Sequence, residues 1–373
     1  MSREPVNDDE LRASIQLSMV EGIGPRRFAE LISWCGSACQ VLELSHAQLK
    51  ELSPVVQQQL TSLHSPANQA RAGEILEHCQ GSGTRILLSH FDDYPALLRE
   101  IHDPPPLLYV RGDRLSRDDL SLAIVGTRFA SPYGLEIARR LSTAAAQAGF
   151  TVVSGLARGI DGAAHEAALL AGGRTIAVLG SGVERIYPAE HRSLADQVTN
   201  AGMLISEFPP LARPTAAAFP RRNRVISGIS LGVIVVEAPQ RSGALITARL
   251  ALEQGREVFA VPGPVDQASS RGCHQLLRDG AVLVECLGQV IEELGPLAQS
   301  ATDREGHRVV HPAELDLNEL ERTVLDAIGN RPTSIDQLIR SSELSTPQVL
   351  ATLSALEVRL LISRQAGQMV IRR

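Results

Sequence analysis

The chain has 373 residues, 44% of them hydrophobic and 21% charged, enough to bury the cores of two or three domains without staples. Its formal net charge of -6 excludes a protein coated in basic charge. A local basic cleft stays open, because nucleic-acid binding depends on where charge lies.

The start, "MSREPVNDDELRASIQ", lacks the basic and then apolar pattern of a secretion signal, and no apolar run approaches the ~20 residues that span a bilayer. A soluble, cytoplasmic protein without a membrane partner is expected. Residues 1–82 read as short helices with polar breaks, a helical domain of the SAM or helix-hairpin-helix kind. Within it, "VEGIGPRRFAELIS" places Gly22 and Gly24 in a tight turn and Pro25 at the first position of a helix. Residues 83–296 change texture. Seven apolar runs, "SLAIVG", "FTVVSG", "RTIAVLG", "GMLISE", "GVIVVEA", "REVFAVPG" and "AVLVE", mostly alternate with Ala- and Leu-rich helical patterns. Continuous apolar strands between helices predict an α/β, Rossmann-like, doubly wound and mostly parallel sheet. Residues 297–316 read as a polar linker. Residues 317–373 predict three helices and a hairpin turning at Ala366-Gly367, a winged-helix pattern.

In an open parallel sheet, ligands bind beyond the carboxyl ends of the strands. The residues there are Gly126-Thr127-Arg128, then Ser154-Gly155-Leu156-Ala157-Arg158-Gly159, then Gly180-Ser181-Gly182, then Ser206-Glu207, then Glu237 with Arg241-Ser242-Gly243. Glycine permits close backbone approach, and serines and amides at helix starts donate to phosphate oxygens. With arginines in the same row, the edge suits an anion or several anions in line. The first loop, "VGTRFASPYG", keeps only the first glycine of G-x-G-x-x-G. Arg128 and Ser131 hold the other two places, and Ser154 stands where a dinucleotide site carries its ribose-binding acid. NAD is therefore not expected.

The most unusual stretch is "AFPRRNRVISGIS", where Arg221, Arg222, Asn223 and Arg224 directly precede an apolar helical pattern. From Arg213 to Arg256 there are seven arginines against two acidic residues, Glu237 and Glu253. Cations in a first helical turn oppose the dipole, and a bound anion would remove the conflict. Asn223 is suited either to a base edge or to capping the helix.

No catalytic residue, metal or cofactor is assigned. The five cysteines are scattered without a C-x-x-C pair, giving neither a disulfide framework nor a zinc site. Asp161 and His165 lie four apart without a further ligand at metal spacing, and Asp161 reads as a helix-start stabiliser. Neither G-x-S-x-G nor a P-loop occurs.

Taken together, "AIVGTRFASPYG", "SGLARGIDGAAHEAALLAGGRTIAVLGSG", "LISEFPP", "FPRRNRVISGIS", "RSGALITA" and "VFAVPGP" closely resemble the DprA (Smf) family of bacterial DNA-processing proteins, from about Tyr94 to Glu285. The resemblance implies a homodimer, joined through the Rossmann-like domain, that binds single-stranded DNA without strong sequence preference. It further implies protection of the strand and loading of the recombinase RecA during natural transformation. The family's basic pocket carries over onto Arg128 and onto Arg222, Asn223 and Arg224. Ser154, Gly155, Gly180, Ser181, Gly182, Ser242 and Gly243 stand around it, and Arg158 lies in the same row of loops. Some members carry lysines before the RNR motif, whereas "PPLARPTAAAF" offers only Arg213, so Arg221 is the candidate for the missing charge. With 3% aromatics, binding directed at the DNA backbone is expected, Phe219 and Tyr187 being the candidate stackers. The alternative is a nucleotide-binding or nucleoside-monophosphate-processing enzyme on a related fold. Such enzymes carry P-G-G-x-G-T-x-x-E, and here Arg249 and Leu250 follow Thr247 where that carboxylate belongs.

Overall fold

Asn7 starts the first helix, α1 (Asp8–Ser18), by accepting from the Asp9 N–H, and three acidic residues fill the first turn, where the helix dipole favours them. The computed structural model describes residues 7–44, 48, 54–60, 63–298, 319–328, 332–342, 344–358, 361–365 and 369–372. After α1 come α2 (Pro25–Cys35), α3 (Ala38–Leu42), α4 (Pro54–Leu60) and α5 (Pro66–Ser82). The expected turn is present, with Gly22 at φ 85° and Pro25 opening α2. These helices bury two faces. Leu17, Phe28 and Leu31 close a core among themselves, while Ile15 and Leu76 join Leu88, Tyr109 and Leu204 against the sheet. Glu10 adds a polar tie: its carboxylate accepts from the Ala38 N–H at 2.7 Å and the Cys39 N–H at 3.0 Å and meets His90 Nε2 at 2.9 Å.

Nine strands form the main sheet, in the order β1-β2-β6-β5-β4-β3-β7-β8-β9. They are β1 (Arg85–Leu88), β2 (Leu107–Gly112), β3 (Ser121–Val125), β4 (Thr151–Ser154), β5 (Thr175–Val178), β6 (Met203–Ser206), β7 (Gly232–Val235), β8 (Glu257–Ala260) and β9 (Val282–Leu283). The helices between them are α6 (Ala96–Arg99), α7 (Pro132–Gln147), α8 (Ile160–Leu170), α9 (Arg192–Ala201), α10 (Ala218–Gly228), α11 (Gly243–Glu253) and α12 (Arg271–Arg278). Every residue of β3 to β7 is buried, which is why these strands read as unbroken apolar runs. All seven expected strands are present and parallel. Two more, β1 and β2, extend the β6 side antiparallel, with Tyr109 opposite Ser206. The chain runs outward from β3 through β4, β5 and β6, then returns to pair β7 with β3, Val125 opposite Val235. That reversal leaves a crevice above the carboxyl ends of β3 and β7.

The chain forms two compact units, Met1–Glu285 and Cys286–Arg373. The second begins with α13 (Leu287–Leu294) and continues with α14 (Glu319–Asp326), β10 (Thr333–Ser334), α15 (Ile335–Ser341), α16 (Thr346–Val358), β11 (Ile362–Gln365) and β12 (Met369–Arg372). Its sheet, β10-β12-β11, adds a short strand to the expected hairpin and makes the winged-helix arrangement, with Val324, Leu338, Leu353 and Val370 at its centre. The expected turn at Ala366-Gly367 and most of the expected linker lie outside the described residues. Among the described residues no helix is long and apolar enough to cross a membrane.

Candidate nucleic-acid interface

The crevice above β3 and β7 holds a cavity of about 290 Å³. Arg128, Arg222, Asn223, Arg241, Ser242 and Gly243 line it, five of them residues singled out from the sequence and Arg241 their immediate neighbour. Arg128 is exposed, carries its guanidinium carbon 5.1 Å from the centre of the Phe219 ring, and makes no ion pair among the described residues. The Tyr187 ring lies 5.8 Å from the Phe219 ring, tilted by 52°. Gly155 and Arg158 line a second hollow with Arg128, Tyr187 and Phe219. Arg158 is half-exposed and pairs with Glu190 at 2.5 Å.

The RNR segment is placed differently from its sequence reading. Its arginines do not precede a helix; α10 starts at Ala218 and contains them. The anions that offset them come from the protein. Arg222 is 5% exposed, and its Nη1 donates to Gly155 O and Val178 O, both at 2.6 Å, tying the ends of β4 and β5 together. Burial pushes its guanidinium down to about 10, against the pull of nearby Asp161. Asp161, in the first turn of α8, is itself buried and raised by desolvation, and it accepts from the Ala157 N–H of the loop before that helix at 3.4 Å. A Cβ on Gly155 would lie 2.1 Å from Arg222 Nη1, so a larger residue there would displace the guanidinium from its carbonyls.

Arg224 is also buried. It donates to Glu207 Oε2 at 2.5 Å and to Asp103 O, while half-exposed Arg221 reaches Glu207 Oε1 at 3.0 Å and covers the Phe208 ring. Burial raises the Glu207 carboxyl despite both arginines. Asn223 neither caps the helix nor stands free. Its amide donates to Gly243 O at 3.2 Å and its oxygen accepts from Arg222 Nε.

The remaining sequence candidates shape the loops. Ser154 Oγ donates to Ile124 O at 2.6 Å inside the sheet, and Ser181 Oγ to Arg185 O at 2.6 Å. Gly180 lies against the Phe219 ring and Gly182 against the carbonyls of Pro209 and Pro210. Ser242 caps α11 by accepting from the Ala244 N–H. His165 is a core residue, bonded to Thr175 and pushed down to about 3 by burial, so it is neutral. Among the described residues no group of three or more His, Cys, Asp or Glu could hold a metal.

One functional feature escaped the sequence reading. Glu237, at the end of β7, sends its carboxylate across to the start of α7, where it accepts from Ser131 N at 2.9 Å and Ser131 Oγ at 3.1 Å. This is the place where a dinucleotide fold holds its pyrophosphate. Gly134 allows the approach, since a Cβ there would lie 2.0 Å from Glu237 Oε2. The helix start already has its anion, and the open cations, Arg128 and Arg241, stand to one side of it. The arrangement suits a chain of phosphates passing over the crevice.

Comparison with known proteins identifies the family. The family model described as DNA recombination-mediator protein A matches residues 85–295, and that of the DprA winged helix domain matches residues 311–368. Protein Smf of Synechocystis is 34% identical over 389 residues, covering 95% of this chain and 97% of that protein. Protein Smf of Escherichia coli is 42% identical over 266 residues, 71% of each chain. The X-ray structure of DNA processing protein A from Streptococcus pneumoniae has a TM-score of 0.62 at 32% identity, covering 78% of this chain and 99% of its own. DNA processing protein A from Helicobacter pylori, studied for its unique single-stranded DNA binding mode, has a TM-score of 0.50 at 28% identity, covering 58% and 100%. With the sheet matched throughout and a relative aligned along nearly its whole length, the chain belongs to the DNA recombination-mediator protein A (DprA/Smf) family of DNA-processing proteins.

Proposed function

We propose that this chain binds single-stranded DNA through its phosphate backbone across the crevice, protects it, and loads RecA onto it, acting as a homodimer during DNA uptake and recombination. The observation that carries the reading is Arg128: an exposed cation, seated on Phe219, without a carboxylate partner among the described residues, at the mouth of the switch-point cavity. Arg241 extends the positive edge, Arg158 stands beside it with its charge shared with Glu190, and Asn223, Ser242 and Gly243 line the cavity. Arg221, Arg222 and Arg224 act one step back. They fix α10 and the strand ends so that the phosphate-facing groups hold their positions, as do Ser154, Gly155, Gly180, Ser181 and Gly182. Family membership and the single-strand binding of the Helicobacter pylori relative support the same reading. Hydrolysis of a nucleoside monophosphate is disfavoured, because Glu237 is engaged by Ser131 and Asp161 sits beside Arg222.

Fluorescence anisotropy with a labelled single strand at several salt concentrations tests the proposal. Arg128→Ala is expected to weaken binding and to flatten the slope of log K against log salt by about 0.7, one lost phosphate contact. Weak binding by the parent protein, or an unchanged slope in the variant, would assign the cavity to a smaller ligand. Loading is then read as faster RecA filament growth on a strand already coated by a single-strand-binding protein.

A further inference from the structure

Phe129 is 89% exposed, yet it stands on a tightly held loop. Its N–H donates to Thr127 Oγ1 at 3.2 Å, Thr127 N–H donates to Glu237 O at 2.7 Å, and Ile160 N–H donates to Thr127 O at 3.3 Å. The loop also presses on Gly159, where a Cβ would lie 2.4 Å from Thr127 O. A lone exposed apolar side chain needs no explanation by itself. This one differs in its surroundings. It directly follows Arg128, and it lines the same cavity as Phe219, Asn223 and Arg241. Ile246, 40% exposed, and Pro239 extend the apolar part of that lining. An exposed aromatic ring on a held backbone, beside a guanidinium that makes no ion pair among the described residues, is what a nucleotide unit needs, one group for the base and one for its phosphate.

We infer that Phe129 stacks on a nucleobase of the bound strand while Arg128 holds an adjacent phosphate. This rests on the proposed single-strand binding and adds to it a contact with the bases. Stacking tolerates every base, so the contact leaves sequence preference weak. A base inside a duplex keeps both faces on its neighbours, so the ring favours single strands over double strands.

The experiment compares the full-length protein with Phe129→Ala, Phe129→Trp and Arg128→Ala. Affinities are measured for labelled oligothymidylate and for an abasic strand of the same length, across a salt series, with thermal melting and sedimentation as checks on folding and assembly. Phe129→Ala is expected to lose about five- to tenfold on oligothymidylate, the low end for one stacked base, with an unchanged salt slope. Phe129→Trp retains affinity. On the abasic strand, parent and Phe129→Ala bind alike, whereas Arg128→Ala is weaker on both strands. If Phe129→Ala matches the parent on oligothymidylate while Arg128→Ala is weakened, the inference fails and the site stands. An equal loss on the abasic strand, or a change of assembly state, makes the ring a packing element and overturns it too. If the parent binds neither strand, the proposed function falls and takes this contact with it.

Discussion

At the scale of single residues, arginines close together in sequence have different tasks, and burial separates them. Arg128 is exposed and pairs with no carboxylate among the described residues, whereas Arg222 is buried with two carbonyl acceptors and Asp161 for company. Removing a partner from a buried charged arrangement leaves uncompensated charge and unpaired carbonyls, at about 3–5 kcal/mol. Arg222→Ala is therefore expected to lower the urea midpoint steeply, while Arg128→Ala stays within about 0.5 kcal/mol of the parent, as exposed substitutions do. Equilibrium unfolding of the two variants side by side checks this. A folded, stable Arg222→Ala that merely loses DNA would make Arg222 a direct phosphate ligand. The sequence made the density of positive charge in "FPRRNR" plain. It did not show that Glu207, from the end of β6, and Asp161, from α8, reach back to neutralise it. Glu207 is 17 residues from Arg224 and Asp161 is more distant still, so neither sits at helical spacing and only the fold brings them near.

At the scale of elements, the seven parallel strands were legible because two-sided burial writes itself as an apolar run. β1 and β2 were not, since one directly follows three prolines, both leave residues only half-buried or exposed, and nothing local in either announces antiparallel pairing. The start of α7 was half legible. The missing glycines of the first loop argued against a dinucleotide, but the occupant of the vacated place, Glu237, came from a strand more than a hundred residues away. That carboxylate joins β7 to α7 across the switch point. Glu237→Ala leaves the part-buried Ser131 N–H without its acceptor and should cost about 1 kcal/mol or more. The variant also opens a helix N-terminus to external anions. Its melting midpoint is expected to fall and to be partly restored by pyrophosphate, with no such rescue in the parent protein. Rescue of both proteins alike would show that the anion acts elsewhere.

At the scale of the whole molecule, the change of texture near residue 82 marks a change of architecture, but the helices before it are built into the sheet's packing. Ile15 and Leu76 lie in one core with Leu88, Leu107 and Tyr109 of β1 and β2, and residues 1–285 form a single compact unit. Removing residues 1–82 uncovers three large side chains of that face. At about 1.5–3 kcal/mol each, the loss is on the order of 6 kcal/mol, comparable to the whole stability of many domains. Loss of the Glu10 tie to His90 adds to it. A fragment of residues 83–285 is thus expected to show no cooperative thermal transition, even though it retains all nine strands and every sequence-derived site residue. A fragment of residues 1–285 is expected to melt cooperatively and to keep its affinity for single strands, because the crevice and its covering helices lie within that unit. Circular dichroism melting of the two fragments, followed by anisotropy on the longer one, separates two views of the helices. Cooperative melting of residues 83–285 would make the helical region an appended module. Its absence would make α1 and α5 part of the scaffold that holds the strand ends, and with them Arg128, in place.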